Sequence, residues 1–342
     1  MSLAIMNEPT ATKAAPLPPP GALINVLVRG VRIEAQDIRS FELVALAGEH
    51  LPVWQPGAHV QVSLPGKSPG TFLSRAYSLC NHAGETDCYR IAVKLEAQSR
   101  GGSRAMHALS PGDRLQISAP RNLFALDADA KSHVLIAGGI GVTPLYAMFN
   151  SLEGNASSEM HYFTRSHAHS AFAGHMRHRT SFHTGLDVAE TASALRMIVA
   201  RHTGFERTTF YTCGPAAFMN AVESALAAAG VPATQLRSER FGADQPPAAL
   251  PAARGTFRIV FARSGIEADV APGVPIIDVA RAHGVDIPTS CEQGVCGACM
   301  SDVLDGAPEH HDAYLSGAEQ AGGKLILPCV SRCGGPRLVI DR

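Results

Sequence analysis

Four cysteines near the C-terminal end have the residue type and spacing of metal ligands. Cys291, Cys296 and Cys299 form a C-x4-C-x2-C pattern, and Cys329 follows after 29 further residues. This spacing is typical of plant-type [2Fe-2S] clusters, in which three thiolates come from one tight loop and the fourth from a distant segment. Zinc is the alternative, but zinc sites usually pair two short C-x2-C knuckles, and the sequence has one. We therefore predict a [2Fe-2S] centre.

The loop between these ligands contains Gly294 and Gly297. Glycines let the backbone fold around a cluster and direct its N–H groups at the sulfurs. A metal-ligand arrangement of cysteines suits a reducing compartment better than disulfides do. We expect the other four cysteines to be free thiols: Cys80, Cys88, Cys213 and Cys333.

A glycine-rich segment runs Gly138-Gly139-Ile140-Gly141-Val142-Thr143-Pro144, between an apolar stretch and a helical one. Glycines in such a turn allow close approach of a pyrophosphate, and the helix N-terminus offers unpaired N–H groups and positive potential. Pro144 occupies the place of the last glycine of the G-x-G-x-x-G fingerprint. A purely structural turn is therefore the alternative for this segment taken alone.

A second turn, Cys213-Gly214-Pro215, also separates a strand pattern from a helical pattern. Both turns should open at the carboxyl edge of one parallel sheet, where ligands of α/β folds bind. We therefore predict a dinucleotide site there. Arg165 and Ser166 stand where an acidic residue commonly holds the adenosine ribose, which leaves NADPH open beside NADH.

The segment Arg75-Ala76-Tyr77-Ser78 has the residue types of a flavin site. A guanidinium binds phosphate, an aromatic ring packs on an isoalloxazine, and a hydroxyl bonds to its polar edge. Residues 100–103, which include Gly101, Gly102 and Ser103, offer a second place for a phosphate. An ordinary strand is the alternative, but a chain that binds both nicotinamide and an iron-sulfur cluster needs a flavin to convert a hydride into single electrons.

The elements that must position these motifs change in kind along the chain. Short strands separated by turns predict an antiparallel β-barrel, and strands alternating with helices then predict a Rossmann-like parallel sheet. The last part opens with a hairpin and contains a short helix near 275–282, as in a β-grasp ferredoxin domain. The predicted division is a disordered tail (1–20), a flavin-binding barrel (21–125), a nicotinamide domain (126–244), a linker (245–255) and a [2Fe-2S] ferredoxin domain (256–342).

Composition argues against several classes of function. The chain has 342 residues, 46% of them hydrophobic, which is enough for several cores. The formal net charge is −1 and no run of like charges is present, so we expect neither nucleic acid nor a membrane surface as partner. Without an apolar run of about 18 residues or a signal-peptide core, we expect a cytoplasmic protein.

Taken together, these motifs resemble the phthalate dioxygenase reductase family, part of the ferredoxin-NADP reductase superfamily. The resemblance covers Leu23 to Arg342, and the order flavin, nicotinamide, ferredoxin separates this family from relatives that place the ferredoxin first. The matching pieces are RAYSLCN (75–81), AVK (92–94), RGGS (100–103), AGGIGVTP (137–144), YTCGP (211–215), ERFGA (239–243) and the cluster loop.

The resemblance implies FMN, with FAD the less favoured flavin, and NADH as the electron donor. It places Phe241 near the flavin ring, Thr143 and Cys213 near the nicotinamide, and Ser78 and Cys213 closest to the chemistry. The residues that it assigns to the flavin are Arg75, Tyr77, Ser78, Val93, Lys94, Gly102 and Ser103.

The resemblance also implies an electron acceptor, a terminal Rieske non-haem iron oxygenase acting on an aromatic or small organic acid. We expect this partner to dock at the loop around Cys291 to Cys299. Residues 256–342 carry seven Lys or Arg against eleven Asp or Glu, and residues 21–125 carry eleven against eight. The acidic domain is therefore expected to face a basic patch of the acceptor and to lean toward its own flavin domain. A di-iron monooxygenase as acceptor, or a non-catalytic redox sensor, are the alternatives.

Six histidines between His161 and His183 invite a metal hypothesis, as does the pair His310-His311. Neither group has a carboxylate or thiolate at ligand spacing. We interpret the first group as a solvated helix and loop, with a helix over 170–179, and the second as a surface pair.

Overall fold

The structure is a computed structural model of the chain. It describes residues 23–48, 50–65, 72–99, 101–152, 154, 157–176, 179–202, 207–241, 255–289, 292–294 and 296–342. The predicted tail, most of the predicted linker, and Cys291 lie outside these residues. Among the described residues, no helix is both long enough and apolar enough to cross a membrane.

The first part of the chain forms an antiparallel barrel, as predicted. Its strands are β1 (Leu23–Ala35), β2 (Ile38–Ala45), β3 (Ala58–Pro65), β4 (Phe72–Ser78), β5 (Tyr89–Lys94), β6 (Arg114–Ser118) and β7 (Arg121–Asn122), with helix α1 (Gly102–Ala108). The sheet order is β4-β3-β6-β1-β2-β5, and an antiparallel bridge between Leu79 and Ile91 joins the two ends. Alternate residues such as Val60 and Val62 are fully buried, so the opposite face of β3 is left for other contacts.

The middle part is a parallel sheet covered by helices on both faces. Its elements are β8 (Ser132–Gly138), α2 (Val142–Ser151), β9 (Ser158–Thr164), β10 (Thr180–Thr184), α3 (Val188–Arg201), β11 (Thr208–Cys213), α4 (Ala216–Ala228) and β12 (Leu236–Glu239). The order β10-β9-β8-β11-β12 places the reversal of connection between β8 and β11. Helix α2 packs in one hydrophobic core, while α3 and α4 share the other. A reversal of this kind creates the crevice in which α/β folds bind ligands.

The last part is a mixed sheet with short helices. Its elements are β13 (Phe257–Phe261), β14 (Ile266–Val270), α5 (Ile276–Ala282), β15 (Ser301–Asp305), β16 (Pro308–Glu309), α6 (Gly317–Gly322), β17 (Leu325–Ile326), β18 (Arg332–Cys333) and β19 (Arg337–Ile340). The order β14-β13-β19-β15-β17 combines a parallel pair, β13 with β19, and antiparallel pairs. Cys299 and Cys329 belong to the hydrophobic core of this unit. Core packing thus fixes these two of the four cysteines predicted as cluster ligands.

The helix predicted over 170–179 is wrong. Residues 171–175 form turns, and Phe172 and Met176 are buried against α2. The Phe172 ring stacks on that of Tyr146, with centroids 4.6 Å apart and planes 2° from parallel. The apolar residues of this segment therefore pack in the core although their backbone forms turns and not a helix.

Candidate functional site

A single cleft of about 1460 Å³ lies where the barrel, the parallel sheet and the cluster loop meet. This volume exceeds the roughly 300–1,000 Å³ of an ordinary single-ligand pocket, so the cleft has room for more than one cofactor. The predicted site residues that line it are Arg75, Tyr77, Ser78, Val93, Lys94, Gly102, Ser103, Gly138, Gly139, Thr143, Arg165, Gly214, Pro215, Phe241 and Cys296. Gly101, Gly141, Pro144 and Cys213 are outside the lining.

The barrel wall of the cleft is formed by the ends of β4 and β5 and the start of α1. Gly102 is needed there, because a Cβ added to it would come within 2.8 Å of the Arg75 side chain. Burial raises the pKa of the Tyr77 hydroxyl, which therefore stays protonated. This wall offers a cation, an aromatic ring and a hydroxyl, which are the groups expected for a flavin.

His59 is a wall residue that sequence reasoning missed. It is 5% exposed, lines the cleft, and pairs with Ser78 across β3 and β4. Neither of its ring nitrogens has a hydrogen-bond partner among the described residues, and burial lowers its pKa to about 4. A neutral buried imidazole with two unpaired nitrogens costs free energy unless a bound group pairs with it. The wall therefore fits a polar cofactor.

The two glycine turns of the parallel sheet meet, as their positions predicted. A Cβ on Gly141 would lie 2.2 Å from the carbonyl oxygen of Cys213. A Cβ on Gly138 would lie 2.6 Å from the Phe218 ring, and Gly214 approaches the same ring. Glycine at these positions lets the two turns approach each other closely where the connection of the sheet reverses. Gly141 serves this packing, whereas Gly139 and Thr143 line the cleft.

Ser78, Cys213 and Glu239 converge from three strands at the junction of the barrel and the parallel sheet. Ser78 donates a hydrogen bond from its hydroxyl to Glu239 (3.2 Å), and Cys213 neighbours Glu239 in the register of β11 and β12. Glu239 is partly exposed as a residue, but the enclosure of its carboxyl raises its pKa to about 7. Burial, with Glu239 nearby, raises the pKa of the Cys213 thiol, which stays uncharged. Glu239 was missed because a lone Glu at a strand end carries no spacing signal.

Cys299 of the cluster loop and Cys329 lie in the core of the last unit, whereas Cys296 lines the cleft. Cys299 and Cys329 are 3% and 4% exposed and are close enough that the hydrogen bond with Cys329, and then burial, raise the pKa of the Cys299 thiol. Among the described residues, no three His, Cys, Asp or Glu side chains are placed around one metal ion. A [2Fe-2S] cluster takes two thiolates per iron, and the neighbouring pair Cys299 and Cys329 has that donor chemistry.

Cys333 contacts its own turn instead of the other cysteines. Its sulfur donates to the carbonyl of Arg337 (3.3 Å) and accepts from the N–H of Gly335 (3.3 Å). This supports its interpretation as a free thiol that is not a ligand of the cluster. Cys80, Cys88 and Cys213 are buried free thiols.

Two of the histidines predicted to be solvated, His161 and His183, are buried or half-buried, which corrects the sequence interpretation for them, whereas His167 and His175 are exposed as predicted. His161 is 1% exposed, and Glu159 accepts hydrogen bonds from His161 (2.8 Å) and His202 (2.6 Å). His161 also bonds to His183 (3.1 Å). The carboxylate of this group, Glu159, lies on the same strand as His161, two residues before it. The His310 side chain is 11% exposed and lies 3.4 Å from Asp312, so it is not a surface residue either.

Comparison with known proteins places these features in one family. The family model described as "2Fe-2S iron-sulfur cluster binding domain" matches residues 259–334, and the one described as "Dimethylamine monooxygenase subunit DmmA-like, N-terminal domain" matches residues 116–236. The solved structure of phthalate dioxygenase reductase, titled a modular structure for electron transfer from pyridine nucleotides to [2Fe-2S], aligns with a TM-score of 0.63 and 32% identity. That alignment covers 94% of this chain and 98% of the other.

Two relatives show how much of the chain is shared. It is 37% identical over 313 residues to the oxidoreductase NdmD of Pseudomonas putida, covering 90% of this chain and 52% of that longer protein. It is also 37% identical over 330 residues to a vanillate O-demethylase oxidoreductase of Pseudomonas sp. strain HR199, covering 93% of this chain and 100% of the relative. The chain is therefore an electron-transfer oxidoreductase that binds a flavin, a nicotinamide nucleotide and a [2Fe-2S] cluster, and it belongs to the phthalate dioxygenase reductase family.

Proposed function

We propose that the protein is the NADH-dependent reductase component of a Rieske-type non-haem iron oxygenase that acts on an aromatic or small organic acid. The observation that carries this proposal is the shared cleft, which brings the barrel motif, both glycine turns and Cys296 together. The names of the relatives, a vanillate demethylase oxidoreductase and a phthalate dioxygenase reductase, support an oxygenase as the acceptor.

We assign the cofactors to the chain as follows. FMN is held on the barrel by Arg75, Tyr77, Ser78 and the residues around Lys94 and Gly102, and Phe241 lies beside its ring. NADH lies across the turns at Gly139 and Gly214, with Arg165 toward its adenosine. The cluster is held by Cys291, Cys296, Cys299 and Cys329. We also propose that the domain boundaries lie near residues 125, 244 and 255.

In this assignment the flavin supplies the conversion of one hydride into two single electrons. The chain supplies position and a low-dielectric cleft. The Ser78 hydroxyl, held by Glu239, orients the ring. The neutral thiol of Cys213 lies behind the cleft lining, next to Gly214 and Glu239, and adds no charge there. A Glu239 carboxyl whose pKa is near 7 can hold or release a proton at working pH.

The test is a spectrum followed by anaerobic reduction. The purified protein should show flavin and [2Fe-2S] absorption, and NADH should bleach both more readily than NADPH does. Heat-released flavin should run with FMN and not with FAD. Absence of either chromophore, or failure of both nucleotides, would overturn the reductase assignment.

A variant of one ligand separates the two halves of the electron path. Cys296→Ser should abolish reduction of cytochrome c through the cluster, while NADH still reduces the flavin. The matched control is Cys333→Ser, which should retain both activities because the Cys333 sulfur bonds to Arg337 and Gly335 of its own turn and not to the other cysteines. Survival of cytochrome c reduction in the Cys296 variant would contradict the cluster assignment.

The oxygenase partner is tested with a purified Rieske oxygenase from the same source. Substrate-dependent NADH oxidation should require both proteins and should be lost with Cys296→Ser. Equal coupling to a di-iron monooxygenase would overturn the assignment of the acceptor.

A further inference from the structure

Arg121 is a barrel residue whose guanidinium reaches into the ferredoxin unit. It lies on β7, opposite His59 of β3. Its two terminal nitrogens contact the two carboxylate oxygens of Glu319 at 3.3 and 2.8 Å, a paired arrangement that fixes the orientation of both groups. Both side chains are only about a quarter exposed, at 23% and 27%. The pair therefore contributes more than a fully exposed ion pair.

The same guanidinium is bound to Tyr314, which lies against the cluster loop. Its central carbon is 3.9 Å from the centre of the Tyr314 ring, and one nitrogen donates to the Tyr314 carbonyl. The ring also covers Gly297, where an added Cβ would come within 2.1 Å of it. Gly297 follows Cys296 directly. Arg121 is thus joined to a proposed cluster ligand through one aromatic ring.

Two more barrel side chains hold the same loop. Gln61 donates to the carbonyl of Cys296 and accepts a hydrogen bond from Ser74 (3.0 Å). Arg75 of the flavin motif donates to the carbonyl of Thr289 (2.9 Å). Each of these two barrel side chains donates to a backbone carbonyl of the ferredoxin unit, and of the two only Arg75 also lines the cleft.

We propose that Arg121 is a positioning residue for internal electron transfer, holding Tyr314 and Glu319 so that the cluster loop stays beside the flavin wall. With both cofactors bound, each transfer would oxidise the reduced flavin by one electron and reduce one ferric iron of the cluster, while Arg121 would act on position alone. No bond forms at Arg121 and no proton moves there. This inference rests on the proposed flavin and cluster sites.

The test compares Arg121→Gln with the wild type in anaerobic rapid mixing with NADH. Flavin bleaching should keep its rate within two-fold, whereas the later bleaching of the cluster should slow at least ten-fold. Arg121→Lys should recover part of the loss, because a lysine keeps the charge but not the forked contact. Raising the salt concentration should slow the cluster phase in the wild type and leave Arg121→Gln unchanged.

Three further measurements separate positioning from other roles. The midpoint potentials of flavin and cluster should not move, and small-angle scattering should give a larger radius of gyration for Arg121→Gln. Arg114→Gln is the matched control, since Arg114 is an exposed barrel arginine and should leave every value unchanged. Glu319→Gln is a second variant, expected to slow the cluster phase about three-fold.

Specific outcomes would overturn the inference. An unchanged cluster phase in Arg121→Gln, equal slowing of both phases, or a shifted cluster potential would each do so. These failures are distinct from failure of the proposed function, which would appear as a missing chromophore or as cytochrome c reduction by the Cys296 variant.

Discussion

At the scale of single residues, Gly297 gives the sharpest prediction. Its φ of +76° lies in the left-handed region, and a Cβ there would meet the Tyr314 ring at 2.1 Å. Gly297→Ala should therefore displace Tyr314 and strain the loop, at a combined cost of about 3 kcal/mol. Iron content per chain after purification should fall more than two-fold.

The control for this prediction is Gly335→Ala in the same unit. Gly335 has no heavy atom within 4 Å of an added Cβ, so its variant should keep its iron. A full iron complement in Gly297→Ala would show that the loop can shift away from Tyr314 at little cost.

Glu239 carries a pH-dependent prediction. A carboxyl whose folded pKa is about 7, against 4.5 when unfolded, binds its proton more tightly in the folded state. Its ionisation therefore destabilises the fold progressively as the pH rises from 4.5 to 7. Glu239→Gln should raise the melting temperature of the apoprotein relative to wild type at pH 8 and should give a smaller difference at pH 5.

Asp129→Asn is the comparison for this effect. The Asp129 side chain is 98% exposed, so its variant should show the same offset at both pH values. If Glu239→Gln behaved in the same way, the carboxyl would ionise freely in the folded protein.

At the scale of elements, helix α3 was missed although its start carries a recognisable signal. The Asp187 side chain accepts from the N–H of Glu190 (2.8 Å), and the Glu190 side chain accepts from the N–H of Asp187 (2.9 Å). This reciprocal capping box is a sequence signature of a helix start. Asp187→Ala should cost about 1 kcal/mol in chemical unfolding. Arg196→Ala, an exposed position of the same helix, should cost less than about 0.5 kcal/mol.

The sequence was most informative where pattern and local geometry coincide. Alternation and turn signals indicated the barrel but not its strand β2, and the glycine turns were correctly placed at one sheet edge because parallel strands end together. The helix over 170–179 failed because Phe172 and Met176 are buried by contacts with α2, which are distant in sequence. The network of Glu159 with His161 and His202 was missed for the same reason, since strand pairing and the end of α3 create it.

At the scale of the whole molecule, the sequence indicated that two units attract each other but not which residues make the contact. The charge counts indicated that the ferredoxin unit leans toward the barrel, and the pair Arg121–Glu319 is one such contact. The hydrogen bond from Arg121 lowers the pKa of Glu319 to about 2, from 4.5. Stability from this contact is complete above pH 4.5 and is lost as the pH falls toward 2.

Glu319→Gln checks this contact by urea unfolding of the apoprotein. The variant should be less stable than wild type by up to about 1 kcal/mol at pH 7, and the gap should narrow at pH 4. A gap that widened on acidification would mean that Glu319 is not stabilised by Arg121.

The backbone carbonyls of Thr289, Cys296 and Tyr314 all accept hydrogen bonds from barrel side chains. In the proposed electron path, the flavin therefore reduces the cluster through a face of the ferredoxin unit that is in contact with the barrel. An acceptor that binds this same face must displace Gln61, Arg75 and Arg121. Reduction of the cluster by the flavin and its oxidation by the acceptor would then take place in turn. An acceptor that binds another face could receive electrons while the barrel contact is intact. Its rate of reduction would not depend on the strength of the hydrogen bonds from these three side chains.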